Sequence, residues 1–240
     1  SYLGKSEKIT NICCDSQNYF VVTNTFIYSI DKNMEINWKK KINLEFSTDL
    51  QLLCLENQNL IIMFDKTKVN SKIVFFNYKL ITFEDYEINE KNLIECQVIN
   101  DFLIMLQNTG IVIHFVTNNK SLKLFNIGHI MFDNLFCNNS NKNTNLQNVL
   151  LLKENNFDVF GVLYCFSSSL VSITYCLQLY SLSNFYQGYI RKSYLQINDE
   201  IKKAQILKDY SALVVLTSKF EIIFIDSYTG ELLSVINKDI

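Results

Sequence analysis

Short apolar runs come in groups of four along this chain, and the groups start at residues 9, 51, 92, 146 and 201. Each run has the length of a β-strand, is rich in Ile, Val, Phe and Tyr, and is parted from the next by residues that favour turns. Four such runs make one antiparallel sheet, and a sheet that small cannot bury both of its own faces. Repetition answers the problem, because each sheet can cover the next, which is the construction of a propeller or another stacked β-repeat. The starts lie 42, 41, 54 and 55 residues apart, which suits a four-stranded unit with longer loops in the later copies.

The clearest copy is Ile201 to Ile236, whose third run ends in Asp226-Ser-Tyr-Thr-Gly-Glu231. There Asp226 can accept backbone N–H bonds, and Gly230 can take positive φ. Asp31 after Ile27-Tyr-Ser-Ile30 and Asn77 after Val74-Phe-Phe76 repeat that arrangement. The chain has no Pro and only six Gly, so Asn, Asp, Ser and Lys must make most of the turns. Runs such as Leu60-Ile-Ile-Met-Phe64 and Ile222-Ile-Phe-Ile225 are continuously apolar, which predicts strands covered on both faces. No helix is expected, and Glu200 to Asp209 reads as a strand because it stands where a first strand belongs.

The expected fold is therefore all-β, a β-propeller with about five four-stranded blades at 9–42, 51–88, 92–127, 146–197 and 201–237. Residues 1–240 read as a single propeller domain, or as part of a seven- or eight-bladed ring. A large β-sandwich or open barrel is the rival. Asn138 to Asn145 is polar and of low complexity, and is expected to be a flexible loop.

Chemistry is harder to find. A net charge of −2 offers no field to recruit nucleic acid or an anionic membrane. Seven Cys (13, 14, 54, 96, 137, 165 and 176) form an odd set inside mostly apolar runs, as buried free thiols in a reducing compartment would. An intracellular, cytoplasmic or nuclear setting follows as an expectation. His114 lies mid-strand, and His129 follows Gly128 with no Cys or His at metal-ligand spacing. No glycine-rich phosphate loop can be written. Glu84-Asp85 with Glu87, and Asp199-Glu200, read as solvated turn carboxylates rather than an acid–base pair. Ser167-Ser-Ser169 lacks the strand–turn–helix setting of a nucleophile elbow. Of the basic clusters, Lys39-Lys-Lys41 stands beside Trp38, but strand alternation puts Trp38 with Ile36 on a packed face. Arg191-Lys192 and Lys202-Lys203 are the others. The reading assigns no catalytic, cofactor-binding or metal residues and expects no cofactor, no small-molecule substrate and no enzyme.

The strands Ile27-Tyr-Ser-Ile-Asp31, Val74-Phe-Phe-Asn77 and Ile223-Phe-Ile-Asp226 with Thr229-Gly-Glu231 resemble the blades of irregular WD40-like and quinoprotein-like propellers. No Gly-His or Trp-Asp dipeptide is present, so the pattern departs from regular WD40 repeats. Within that group the chain resembles propellers that head large propeller-plus-solenoid scaffold subunits of vesicle tethers, coats, nuclear pores and the Rough deal kinetochore type. Asn198 to Ile236, and Ile113-His-Phe-Val-Thr117 before Asn118, carry the last likeness. The resemblance implies a non-catalytic interaction scaffold whose partners are other protein subunits. A nucleic-acid-binding propeller and a small-ligand or enzymatic propeller with a central-channel site are the alternatives.

Overall fold

The computed structural model describes residues 7–43, 50–65, 71–90, 93–107, 110–119, 121–131, 149–153, 159–168, 173–184, 187–207 and 211–236. Among the described residues, twenty strands form five four-stranded antiparallel sheets, each with its strands in sequence order. Sheet 1 holds β1 (Ile9–Cys14), β2 (Asn18–Thr23), β3 (Phe26–Asp31) and β4 (Ile36–Lys41). Sheet 2 holds β5 (Leu50–Leu55), β6 (Leu60–Asp65), β7 (Ser71–Asn77) and β8 (Thr82–Glu90). Sheet 3 holds β9 (Leu93–Ile99), β10 (Phe102–Gln107), β11 (Gly110–Thr117) and β12 (Lys123–Met131). Sheet 4 holds β13 (Val149–Lys153), β14 (Val159–Ser168), β15 (Ile173–Ser181) and β16 (Arg191–Ile197). Sheet 5 holds β17 (Ile201–Ile206), β18 (Ala212–Thr217), β19 (Ile222–Asp226) and β20 (Leu232–Ile236).

The turn from third to fourth strand shows why the sequence echoes recur. Asp31 Oδ1 accepts the N–H groups of Asn33 and Glu35 at 2.8 Å each. Asn77 Oδ1 accepts those of Lys79 (3.1 Å) and Leu80 (2.9 Å), and Asp226 Oδ1 those of Tyr228 (2.7 Å) and Thr229 (2.9 Å). One short polar side chain thus satisfies two backbone donors that the turn would otherwise strand.

The chain divides into two compact units, residues 1–107 with 113–127 and residues 108–112 with 128–240. In the first, neighbouring sheets approach through their first strands, β1 beside β5 and β5 beside β9. Side chains reinforce the seams: Asn11 Nδ2 donates to the Leu50 carbonyl (2.6 Å), and Gln51 Nε2 to that of Cys96 (3.4 Å). Phe20, Val22 and Ile27 of sheet 1 pack against Leu52, Ile61, Met63, Val74 and Phe76 of sheet 2. In the second unit β13 lies beside β17, and Leu163, Leu177, Leu179 and Leu195 meet Ile206, Leu213, Val215, Ile223 and Ile225. Tyr175 accepts the Ile201 N–H at 3.0 Å inside that core.

Several expectations need correction. The fourth run of the second group starts at Thr82 rather than Leu80, because Ile81 takes a left-handed conformation (φ 57°) in the turn. β12 runs past Ile127 to Met131 and takes in His129, while the run read from Tyr186 becomes a strand only at Arg191. Glu56–Gln58 forms a short 3-10 turn where no helix was expected, closed by Asn59 at φ 55°. Double coverage holds for β6, whose six residues are all buried. It fails in sheet 5, where Val214, Leu216 and Phe224 are only half-buried and Ile222 is exposed. The polar loop 138–145 lies outside the described residues.

Candidate interaction surface

Asp226 begins the construction of an exposed aromatic surface in the second unit. Its carboxylate is held below the usual carboxylate range by the Thr229 and Tyr228 N–H donors. The turn closes through Gly230 N–H to the Asp226 carbonyl (2.8 Å) and Asp226 N–H to the Glu231 carbonyl (2.8 Å). It is then clamped onto β16, because Ser193 Oγ donates to the Ser227 carbonyl at 3.0 Å and Arg191 Nη1 to Ser227 Oγ at 3.4 Å. The Arg191 guanidinium consequently lies 3.3 Å from the centre of the Tyr228 ring, within cation–π range.

β16 alternates cleanly. Ser193, Leu195 and Ile197 face the core, while Tyr194 and Gln196 face outward. Lys192 Nζ sits 5.2 Å from the Tyr194 ring and 5.9 Å from that of Tyr189. Tyr189, Ile190, Tyr194 and Tyr228 are 51, 55, 46 and 55% exposed. The chain's single Arg, on the face of β16 that carries Ser193, thus stands over Tyr228, while Lys192, on the opposite face, stands by Tyr189 and Tyr194, so the two cation–aromatic groups flank the outer strand of sheet 4. A cleft of about 320 Å³ opens between the end of β16 and sheet 5, lined by Ile197, Ile223, Leu232 and Val235 with Gln196 and Glu221 at polar positions.

The other singled-out residues do not converge. Trp38 is packed between Phe20 (6.2 Å) and Phe76 (5.7 Å), so it offers no stacking platform for a base. Lys39 lies 3.6 Å from the centre of the Phe26 ring and pairs with Glu7 (3.4 Å), while Lys202 pairs with Glu200 (2.7 Å). Asp199 accepts Ser218 Oγ (2.7 Å) and the Lys219 N–H (2.8 Å), and chiefly the Ser218 bond brings its carboxyl down to about 2. It braces a hairpin. Glu84, Asp85 and Glu87 lie along β8, and Ser167 and Ser168 within β14. Cys96 and Cys176 are buried, Cys13 and Cys54 half-buried, and Cys14 exposed, so the expectation of buried thiols holds only in part. Burial pushes the Cys54 thiol up to about 12, which makes it a poor nucleophile. Among the described residues no three His, Cys, Asp or Glu converge as metal ligands, and no helix is long and apolar enough to cross a membrane.

His129 is exposed on β12, whereas His114 on β11 has a buried Nδ1 without a hydrogen-bond partner. Burial holds its pKa below the ordinary 6.5. The unfolded chain then takes up the proton first as pH falls, so stability declines from 6.5 down through the folded-state pKa. The wild-type urea midpoint is expected to be lower at about pH 5.5 than at about pH 7.5, and His114→Leu to shrink that difference. An unchanged difference in the variant would assign the pH dependence elsewhere.

No family model matches the sequence, and no curated protein matches it. Solved structures do. The Dos1 propeller aligns over 98% of this chain and 59% of its own, with a TM-score of 0.56 at 9% identity. The Neurospora crassa Pan2 WD40 domain aligns over 91% and 61%, at TM-score 0.52 and 8% identity. PorZ, an essential bacterial surface component of the type-IX secretion system of Porphyromonas gingivalis, aligns over 97% and 29%, at TM-score 0.55 and 12% identity. At such identities the likeness is one of fold: the chain is a β-propeller of four-stranded blades.

Proposed function

We propose that this chain is a non-catalytic β-propeller that docks other proteins through the strip formed by Tyr189, Ile190, Arg191, Lys192, Tyr194 and Tyr228. The observation that carries the reading is the exposure of four large side chains along the outer strand β16 and its neighbouring turn, with Tyr228 under the only Arg and Tyr189 and Tyr194 beside Lys192. Tyr and Arg are, with Trp, the residue types most enriched where protein interfaces concentrate their binding energy. Each Tyr supplies a broad apolar ring at the entropic cost of two rotors, and the turn already holds Arg191 over Tyr228. The proposal takes residues 1–240 as one propeller domain or propeller fragment, acting inside the cell as a module of a larger assembly. Tethering, trafficking or kinetochore assemblies are the kinds that the sequence resemblance favours.

Affinity purification from cells tests it with the wild type and the double variant Arg191→Glu/Tyr194→Ala, each checked for an unchanged melting temperature. Defined subunits should co-purify with the wild type and fall at least about tenfold in the variant, as loss of a hot-spot pair implies. Recovery of the same proteins at the same yield from both would overturn the assignment of the surface.

A further inference from the structure

β16 carries an unmatched cation at one end and an apolar cleft at the other. Lys192 is half-buried, with its ammonium 5.2 Å from the centre of the Tyr194 ring and 5.9 Å from that of Tyr189. The side chains that act on its charge are Tyr194, Cys176 and Tyr189, and none is a carboxylate. Lys39 and Lys202, by contrast, pair with Glu7 and Glu200. Among the described residues Lys192 therefore holds a partly desolvated charge without an ion-pair partner, a setting in which an incoming anion interacts more strongly than it would in open water. Strand alternation places Lys192, Tyr194 and Gln196 on one face, and four residues of strand span roughly 13 Å. Gln196 also lines the cleft of about 320 Å³, whose apolar walls include Ile197, Ile223, Leu232 and Val235. Glu221 lines the cleft too, so negative charge is unwelcome at that end. Sheet 5 is already packed on the inner face of β16, so two sheets that are both in place shape this surface.

We propose that this face of β16 captures an extended acidic–apolar segment of a partner protein, with a carboxylate side chain on Lys192 and an aliphatic side chain, four positions away, in the cleft. The inference rests on the docking reading above and gives its partner a chemistry. A carboxylate fits better than a phosphate. Arg191 lies on the opposite face, engaged by Ser227 and Tyr228, so Lys192 offers a single positive charge. One charge balances a carboxylate, whereas a phosphate monoester carries nearly two and a nucleic-acid backbone calls for a row of cations. An extended segment suits the spacing, because side chains four positions apart on a strand point to the same side.

Fluorescence anisotropy on the 240-residue protein tests this with a capped, rhodamine-labelled probe, Leu-Ser-Ala-Ser-Glu-Ser-Ala-Ser-Leu. The probe sets a Leu four positions from the Glu in either chain direction. The wild type should bind it saturably, with Kd of roughly 0.1–1 mM for so small a contact. A probe with Lys in place of Glu should bind at least about tenfold more weakly, and Lys192→Glu should reverse that preference. Leu232→Ser, at a position 62% exposed and therefore tolerant of change, should weaken the Glu probe at least about threefold. No saturable binding by about 2 mM, or equal binding of the Glu and Lys probes, overturns the proposal. Tighter binding of a phosphoserine probe than of the Glu probe overturns the carboxylate assignment. Failure here is separable from failure of the docking reading. Loss of cellular partners in Arg191→Glu/Tyr194→Ala without any probe binding would keep the surface and remove its acidic–apolar partner, and probe binding with cellular partners unchanged would do the reverse.

Discussion

Gly230→Ala is expected to lower the melting temperature by roughly 6–12 °C, the equivalent of about 3 kcal/mol in a chain of this size. Two penalties combine. Gly230 has φ 79°, where an L residue costs about 1–2 kcal/mol. A Cβ at that position would also lie 2.1 Å from the Tyr194 carbonyl oxygen, which belongs to a strand and cannot swing aside as a side chain can. The Asp226 turn must therefore lift off β16, at the expense of the bond from Ser193 to the Ser227 carbonyl. Gly188→Ala provides the internal comparison. Its φ is 97°, but nothing lies within 4 Å of the added Cβ, so only the backbone penalty of about 1–2 kcal/mol applies. Thermal scans of the two variants should differ by several degrees, and equal losses would show that contact with β16 does not hold the turn.

Phe76→Ala should cost about 3–5 kcal/mol in urea unfolding, the largest single loss expected from the aromatic core of the first unit. Phe76 is fully buried on β7, with ring centres 5.0 Å from Phe83 in an edge-on pair and 5.7 Å from Trp38 on β4. It joins sheets 1 and 2, so its removal opens a cavity that neither sheet can fill alone. Phe125→Ala, on β12 with its ring 50% exposed, should cost under about 0.5 kcal/mol. A loss at Phe76 no larger than at Phe125 would mean that the two sheets are not held by this cluster.

These two positions also mark what the sequence could and could not reveal. Strand existence was legible because apolar runs and Asx turns are local signals: Asp31, Asn77 and Asp226 close their turns as their positions predict. Boundaries failed where tertiary contacts overrode local preference. Ile81, a β-branched residue, sits at φ 57° because the turn must place it against the core between sheets 1 and 2. Exposure on one face of sheet 5 was invisible too, since a continuously apolar run reads as doubly covered whether or not a neighbour exists.

The proposed docking strip was half legible. Arg191-Lys192 stood out as a charge pair, and Gly230 as a turn residue. Nothing in the spacing linked them, because Tyr228 reaches Arg191 across 37 positions of chain only when sheet 5 lies on sheet 4. The outward alternation of Lys192, Tyr194 and Gln196 was the one signal that could have pointed to the surface.

Site-specific photo-cross-linking in cells tests the central claim most directly. A benzophenone amino acid placed at Tyr194 or Tyr228 should trap discrete protein partners, while the same group at Lys41, exposed on β4, should trap none of them. Discrete adducts from the strip alone are what a docking propeller predicts; no adduct at Tyr194 and Tyr228, or the same adducts from Lys41, would contradict it.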